Sequence, residues 1–334
     1  MGVSQQHDSI CTSAKQGKTE AAIQSTSHIL HVRPNGFRFN PSAAKDNTFM
    51  NDIKTDINEL EKLALQESEE FIETLRTKGV DVCVVDGHRT NPDALFPNNW
   101  FSTHEDSATG EKTLVLYPMC PQSRRSERRP DIIESIIAKM GEPVTILDYS
   151  GYEKSDQFLE GTGGLVLDRV EHIAYVNLSQ RTNQRLAEIW ARHMGYTLIK
   201  FRAETSSGNS IYHTNVALSV GTKFAIVCLE SISDMNERAL VRDTLIRSGK
   251  TIIEITLEQL NAFAGNALEL CVKDPDTEAT RLILSLSERA YNSYTDKQIL
   301  MLLQCVDEIV PINVSNIETV AGGSIRCMIG EIFK

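Results

Sequence analysis

No apolar run in the chain approaches the 18 or so residues that a membrane-spanning helix requires. The C-x-x-C and H-E-x-x-H spacings of common zinc sites are missing. A G-x-G-x-x-G turn, which a dinucleotide-binding doubly wound sheet carries early in its sequence, is missing as well. Positive charge is in short supply: 34 Lys and Arg stand against 45 Asp and Glu, for a net charge of −11. That balance argues against a nucleic-acid partner, which needs a strong basic field. The one basic cluster, "RRSERR" at 124–129, is short.

Cysteine is scattered rather than patterned. The seven (Cys11, Cys83, Cys120, Cys228, Cys271, Cys305 and Cys327) are an odd number in a long chain, unlike a secreted disulfide framework. Reduced thiols and a cytoplasmic location are expected. Residues 1–28 are rich in Ser, Gln, Thr and Lys and lack the apolar core of a signal peptide, so they read as a disordered extension. Residues 29–334 are then a single catalytic α/β domain, long enough to bury a core without disulfides or metal.

From "ILHVRP" onward, short apolar runs alternate with helical patterns. Leu60, Ala64, Phe71 and Leu75 share one helical face, with Gly79 as a stop. "VDVCVV", "TLVLYPM", "VTILDYS" and "TIIEI" read as strands, and "PDIIESIIAKM" and "DMNERALVRDTLIRSG" as helices. "GLVLDRVEHIAYVNL" and "NVALSVGTKFAIVCL" read as hairpins. "TNQRLAEIWARHMG" reads as a helix capped by Thr182, with Gly195 past its end. Polar breaks in the apolar runs fall at Asn98, Glu160, His213, Asn266 and Cys327, about 53 to 62 residues apart. Near-equal spacing predicts about five copies of one unit, each sending a polar elbow to a common place. Loops of an unrelated α/β protein can also be sampled this way by chance.

The elbows collect what thiol catalysis needs. Cys327 follows Gly322 and Gly323, which leave backbone open to close approach at what reads as the mouth of the last strand. A lone cysteine is also ordinary core filling. A thiolate nucleophile needs a proton relay, and His213 offers one. In "IYHTNVAL", strand alternation would put His213 and Asn215 on one polar face, although a strand histidine also serves as a hydrogen-bonded structural residue. Glu160 precedes a glycine turn; Asp93 is either an Asx-turn former or a ligand; Asn98 and Asn99 stand beside Trp100 and Phe101.

In order and spacing, "DALFPNNWF", "LEGTGGLVLD", "YHTNVAL", "FAGNALEL" and "GGSIRCM" resemble the guanidine-modifying (amidinotransferase and arginine deiminase) superfamily over roughly residues 29–333. "FPNNWFSTH" and "FLEGTG" are most similar to its citrulline-utilisation hydrolase group. The resemblance implies a pentein, a five-bladed α/β propeller of pseudo-fivefold ββαβ units with its site on the axis. It implies Cys327 as nucleophile, His213 as general acid and base, and Glu160 as the carboxylate that aligns the planar group. Asp93, Asn98, Asn99, Asn215 and Gly323 are expected to bind substrate, with no metal or organic cofactor.

Two departures bear on substrate. His213-x-Asn215 stands where deiminases carry H-x-D, and Asn99 where many relatives carry aspartate. An amide gives up the charge-assisted bond to a guanidinium but offers both a donor and an acceptor, which a neutral ureido group needs. The expected reaction is therefore hydrolysis of citrulline to ornithine, carbon dioxide and ammonia. Arginine deimination, dimethylarginine hydrolysis, amidino transfer and a non-catalytic propeller are the alternatives. The substrate carboxylate is expected on one of Arg124, Arg125, Arg128 and Arg129, which otherwise form the solvated approach to a helix, or on Arg33.

Overall fold

The structure, a computed structural model, describes residues 24–274 and 277–334. Strands β1 (His28–Arg33) and β2 (Asp81–Asp86) run parallel, so the chain must cross over between them, which it does through the helix Ile57–Thr77. Strands β3 (Phe101–Glu105) and β4 (Lys112–Leu116) then pair antiparallel, and the helix Pro130–Met140 returns the chain to β5 (Val144–Asp148), parallel to β4. The same order repeats with β6 (Leu165–Asp168), β7 (Ile173–Asn177), the helix Gln184–Met194 and β8 (Thr197–Phe201). It repeats again with β9 (Leu218–Val220), β10 (Phe224–Val227), the helix Met235–Arg247 and β11 (Thr251–Glu254). A further copy holds β12 (Leu268–Lys273), β13 (Thr280–Ser287), the helices Glu288–Ser293 and Asp296–Leu303, and β14 (Glu308–Ile312).

Strand β15 (Gly330–Glu331) pairs antiparallel with β1, placing Ile29 opposite Glu331. The first and last strands among the described residues thus share one sheet, and the described residues hold five three-stranded sheets.

The crossover helices form where the apolar spacing predicts. Leu60, Ala64, Phe71, Ile72 and Leu75 of the first are buried, and its N-cap Asp56 accepts from the N–H groups of Asn58 and Glu59. Burying each of the large apolar side chains stabilises the fold by roughly 1.5–3 kcal/mol. On the helix Gln184–Met194 the cap is Asn183, whose side chain accepts from the Leu186 N–H, rather than the expected Thr182. Thr182 lies one residue too early, where its own N–H is turned back to the Ser179 carbonyl. The apolar core is divided between neighbouring units: one cluster joins the first crossover helix to β12–β14, and another packs the helix Gln184–Met194 against β6 and β7.

Of the extension expected over 1–28, residues 1–23 lie outside the described residues. Gln24, Ser25 and Thr26 are buried, which corrects the boundary. Gln24 donates to the carbonyls of Leu167 and Val220, and Ser25 donates to Glu269, so polar side chains read as solvated tail are satisfied inside. No helix among the described residues is long and apolar enough to cross a membrane.

Candidate active site

Each of the five polar breaks is a tight turn just ahead of the first strand of a unit. Pro97–Asn99 precedes β3, Gly161–Gly164 precedes β6, Thr214–Ala217 precedes β9, Asn266 lies just before β12, and Ile325–Met328 precedes β15. The turn Gly161–Gly164 packs on both Pro97–Asn99 and Thr214–Ala217, and Pro97–Asn99 also packs on Ile325–Met328. His213 is therefore not in a strand. It caps a helical turn, and Asn215 sits inside that turn, so strand alternation does not apply to "IYHTNVAL". Cys327 sits in a 3-10 turn that leads into β15, at the mouth of the last strand as expected.

Glycine gives the turns their close fit. A Cβ on Gly163 would lie 2.6 Å from Asn99 Nδ2 and 2.7 Å from His213 Nδ1. A Cβ on Gly323 would lie 2.8 Å from the Phe96 ring. What approaches Gly323 most closely is thus a protein side chain, although the residue does line the cavity described next.

Asp93, Asn99, Arg124, Arg181, His213 and Cys327 face a cavity of about 280 Å³. Glu160, fully buried, lies directly behind it. His213 Nε2 is 2.8 Å from Glu160 Oε2, and Arg181 Nη1 is 3.5 Å from the same oxygen. The other oxygen, Oε1, accepts from the Cys120 backbone N–H at 2.8 Å. Burial works against ionising Glu160, but Arg181 first and then His213 hold its carboxyl at about 2. Burial pushes the His213 imidazole below its ordinary range, against the pull of Glu160. A neutral ring beside an ionised carboxylate donates from Nε2, which leaves Nδ1 as the basic atom.

The Cys327 sulfur meets two amides: Asn266 Nδ2 at 3.3 Å and Asn215 Nδ2 at 3.5 Å. Asn215, expected to bind substrate, is turned to the Cys327 sulfur. Asn99 is also committed to protein groups, accepting from Arg124 Nη1 at 2.7 Å and donating to Asn98 Oδ1 at 3.0 Å. Asn98 is buried and its Nδ2 has no hydrogen-bond partner among the described residues. Asp93 Oδ2 accepts from Asn40 at 2.7 Å, while Oδ1 has no such partner. Burial raises the Asp93 carboxyl, with Arg124 and Asn40 opposing it.

Of the basic cluster, only Arg124 reaches the cavity, and it is clamped to Glu127 at 2.9 Å. Arg125 and Arg128 pair with Glu153, and Arg129 with Asp131. Arg33 does not line the cavity and pairs with Glu69 and Asp86. In the cluster around the cavity, the four carboxylates of Asp46, Asp93, Glu127 and Glu160 face two guanidiniums, those of Arg124 and Arg181. Burial pushes the Glu127 carboxyl up to about 7 and raises that of Asp93, against the pull of Arg124, so the excess of two carboxylates over guanidiniums is only partly expressed as negative charge until a cation enters.

Sequence reasoning missed two residues. Arg181 lies in "SQRTN", a loop with no pattern to mark it. Asn266 carried a usable signal, as one of the five evenly spaced breaks. A larger cavity of about 430 Å³, lined by Gln24, Arg169, Glu269 and Arg326, shares Asn215 but lacks Cys327, His213 and Glu160, so the thiol chemistry belongs to the smaller one. No group of three or more His, Cys, Asp or Glu among the described residues is placed to hold a metal.

The family described as eukaryotic N,N dimethylarginine dimethylhydrolase matches residues 33–334. No curated protein matches the chain in sequence. Among solved structures, the N-terminal domain of ArgZ, an arginine dihydrolase from the ornithine-ammonia cycle in cyanobacteria, is similar with a TM-score of 0.68 at 15% identity, covering 92% of this chain and 98% of that domain. That structure is a cysteine-to-serine variant bound to substrate. In another structure of ArgZ, without ligand, the match has a TM-score of 0.68 at 14% identity and spans 92% of this chain but 40% of the larger protein. A dimethylarginine dimethylaminohydrolase, a histidine-to-glycine variant captured as an adduct with S-methyl-L-thiocitrulline, is similar with a TM-score of 0.59 at 16% identity, covering 91% of this chain and 98% of that one.

Proposed function

We propose, from the premise that the chain belongs to the eukaryotic N,N dimethylarginine dimethylhydrolase family of the guanidino-modifying pentein superfamily, that it hydrolyses a C–N bond of a guanidino amino acid through Cys327. The five three-stranded sheets are the blades of an α/β propeller forming one catalytic domain, with the turns that carry Asn98, Glu160, His213, Asn266 and Cys327 at its axis. The observation that carries the substrate class is Asp93, a buried carboxylate with one oxygen unpartnered among the described residues, in the same cavity as the thiol. A guanidinium satisfies it, and its charge offsets the negative excess around the cavity. Arg124 and Arg181 face the same space and suit an α-carboxylate.

In the reaction, the Cys327 thiol passes its proton to His213 Nδ1 as the sulfur forms a bond to the guanidinium carbon, and Glu160 holds His213 in place. The bond to the departing nitrogen breaks as His213 delivers that proton to it, leaving a thiouronium on the enzyme. Water then attacks that carbon and gives one proton to His213. The C–O bond forms, the C–S bond breaks, the remaining hydroxyl proton passes to the released amine, and His213 returns its proton to the sulfur as the ureido product leaves. Covalent catalysis of this kind divides one difficult displacement into two easier steps.

The ureido reading keeps one supporting observation, the unpartnered Asn98 Nδ2, a donor for a ureido oxygen. Its original basis is weakened, because Asn99 and Asn215 are both occupied by protein groups. Incubation with asymmetric dimethylarginine, arginine or citrulline, followed by analysis for dimethylamine, ammonia, citrulline and ornithine, tests both readings. Turnover of a guanidino compound that is lost in Cys327→Ala supports the proposal. Turnover of citrulline alone replaces it with the ureido reading. Added glycine detects amidino transfer.

A further inference from the structure

We infer that Tyr212 and Glu318 are positioning residues, which clamp the bend Gly322–Ser324 from two sides and so set where Cys327 stands relative to His213. The inference rests on Cys327 acting as the nucleophile. The bend needs ties from outside. Gly322 adopts φ +60 and Gly323 follows it, so the backbone ahead of the thiol has little stiffness of its own.

One tie comes from a distant unit. Tyr212 Oη donates to the Gly322 main-chain carbonyl at 2.5 Å. The ring of Tyr212 is itself held: its centroid lies 4.5 Å from that of His213, and the Arg181 guanidinium stands 4.8 Å over it. Tyr212 immediately precedes His213 in sequence. One hydroxyl thereby joins the segment that carries the proton relay to the segment that carries the thiol.

The other tie is local. Ser324 Oγ donates to Glu318 Oε1 at 2.6 Å, and both residues are buried. The Ser324 carbonyl accepts in turn from the Cys327 N–H at 2.9 Å, so fixing Ser324 fixes the turn that holds the sulfur. Glu318 belongs to the helix Ser315–Ala321, and its main-chain carbonyl accepts from the Gly322 N–H at 3.0 Å. Arg289 Nη1 stands 3.9 Å from Glu318 Oε2, beyond hydrogen-bond reach. Burying a carboxylate that far from a cation is costly, and the bond to Ser324 offsets part of that cost. Neither Glu318 nor Ser324 lines the cavity, and the Tyr212 hydroxyl is taken by Gly322, so the clamp acts through Cys327 and not on substrate.

The test uses the full chain. Tyr212→Phe removes one hydroxyl and leaves the ring, Ser324→Ala removes the other donor, and Glu318→Gln keeps an oxygen acceptor. The Gly322 carbonyl also accepts from Asn47 Nδ2 at 3.2 Å, so Tyr212→Phe strips no buried group bare and should melt close to the parent. Amide hydrogen exchange is read without substrate on the peptide spanning 322–328. Loss of one hydrogen bond predicts exchange there faster by about three- to tenfold in Tyr212→Phe and Ser324→Ala, with Glu318→Gln exchanging like the parent. On a guanidino substrate, kcat falls by about tenfold in the first two variants while KM moves little. Parental exchange over 322–328 in both overturns the clamp. So does faster exchange with the parent's kcat, or exchange that quickens throughout the chain. Glu318→Gln exchanging as fast as Ser324→Ala overturns the part given to Glu318. If Ser324→Ala does not fold, Tyr212→Phe decides alone. Because exchange needs no substrate, a parent inert to guanidino compounds would sink the proposed activity while the exchange data still decide the clamp.

Discussion

His213 Nε2 and Glu160 Oε2 lie 2.8 Å apart, both fully enclosed, with Arg181 Nη1 3.5 Å from the same oxygen. This row of three sets the pH response. The folded chain resists protonating His213, whose imidazole is held below 6.5 by burial. As pH falls through about 6.5, the unfolded chain takes up a proton that the folded chain refuses, and stability declines. A second loss follows as pH falls from the ordinary Glu value of 4.5 toward about 2, where Glu160 loses its charge. Melting temperatures measured across this range should drop on the acid side, and His213→Gln should lessen the first phase without removing it, because burial also holds His31 and His104 low. A parent Tm that is level through the first phase contradicts the assignment.

Asp93→Asn separates the substrate classes. Removing a buried carboxylate from a guanidinium costs about 1.5–3 kcal/mol, or roughly 10- to 100-fold in KM for arginine compounds. Any activity on neutral citrulline should change far less. Equal effects on both classes would mean that Asp93 does not meet the planar group.

Gly163→Ala places a methyl against Asn99 and His213 at once. Both side chains must move, and a shift approaching 1 Å in the catalytic geometry lowers kcat by about 100-fold. The fold should survive with a modest drop in Tm, because a displaced side chain end can yield where backbone cannot. Full activity in this variant would show that the contact is loose.

Asp46→Asn loosens the cover of the cavity. Arg181 Nε is 2.9 Å from Asp46, and Arg181 Nη2 also donates to the Ala43 carbonyl at 2.7 Å, tying the 43–50 stretch to Glu160. The loss is about 2 kcal/mol, since Arg181 keeps Glu160 when Asp46 goes. Amide hydrogen exchange should quicken at Asn47 and Met50, which line the cavity or hold Gly322, while the strands stay protected. Uniform exchange across the chain would refute a local tie.

Much of the fold was legible because apolar periodicity is local. Leu60, Ala64, Phe71 and Leu75 mark a helix face wherever that helix finally packs, and Gly141 and Gly195 end helices by backbone freedom alone. The same locality explains the errors. Thr182 and Asn183 are both competent caps, and which one turns its oxygen inward depends on the packing of the preceding loop. "IYHTNVAL" has strand composition, but the carbonyl of Gly164, in the neighbouring turn, accepts from Thr214, and the segment forms a helical turn.

Residue types and their spacing placed a thiol, an imidazole, a carboxylate and an amide at near-even intervals, and this singled out Cys327, His213 and Glu160 as candidates whose roles the family resemblance then implied. Tertiary structure alone decided what each amide serves. Asn99 and Asn215 read alike as substrate ligands, yet one is turned to Arg124 and the other to sulfur. Arg181 is marked by nothing around it and still governs Glu160. The reason is physical: a side chain's partner is set by which distant segment arrives within about 3 Å, and hydrogen bonds of that length carry no trace in local composition.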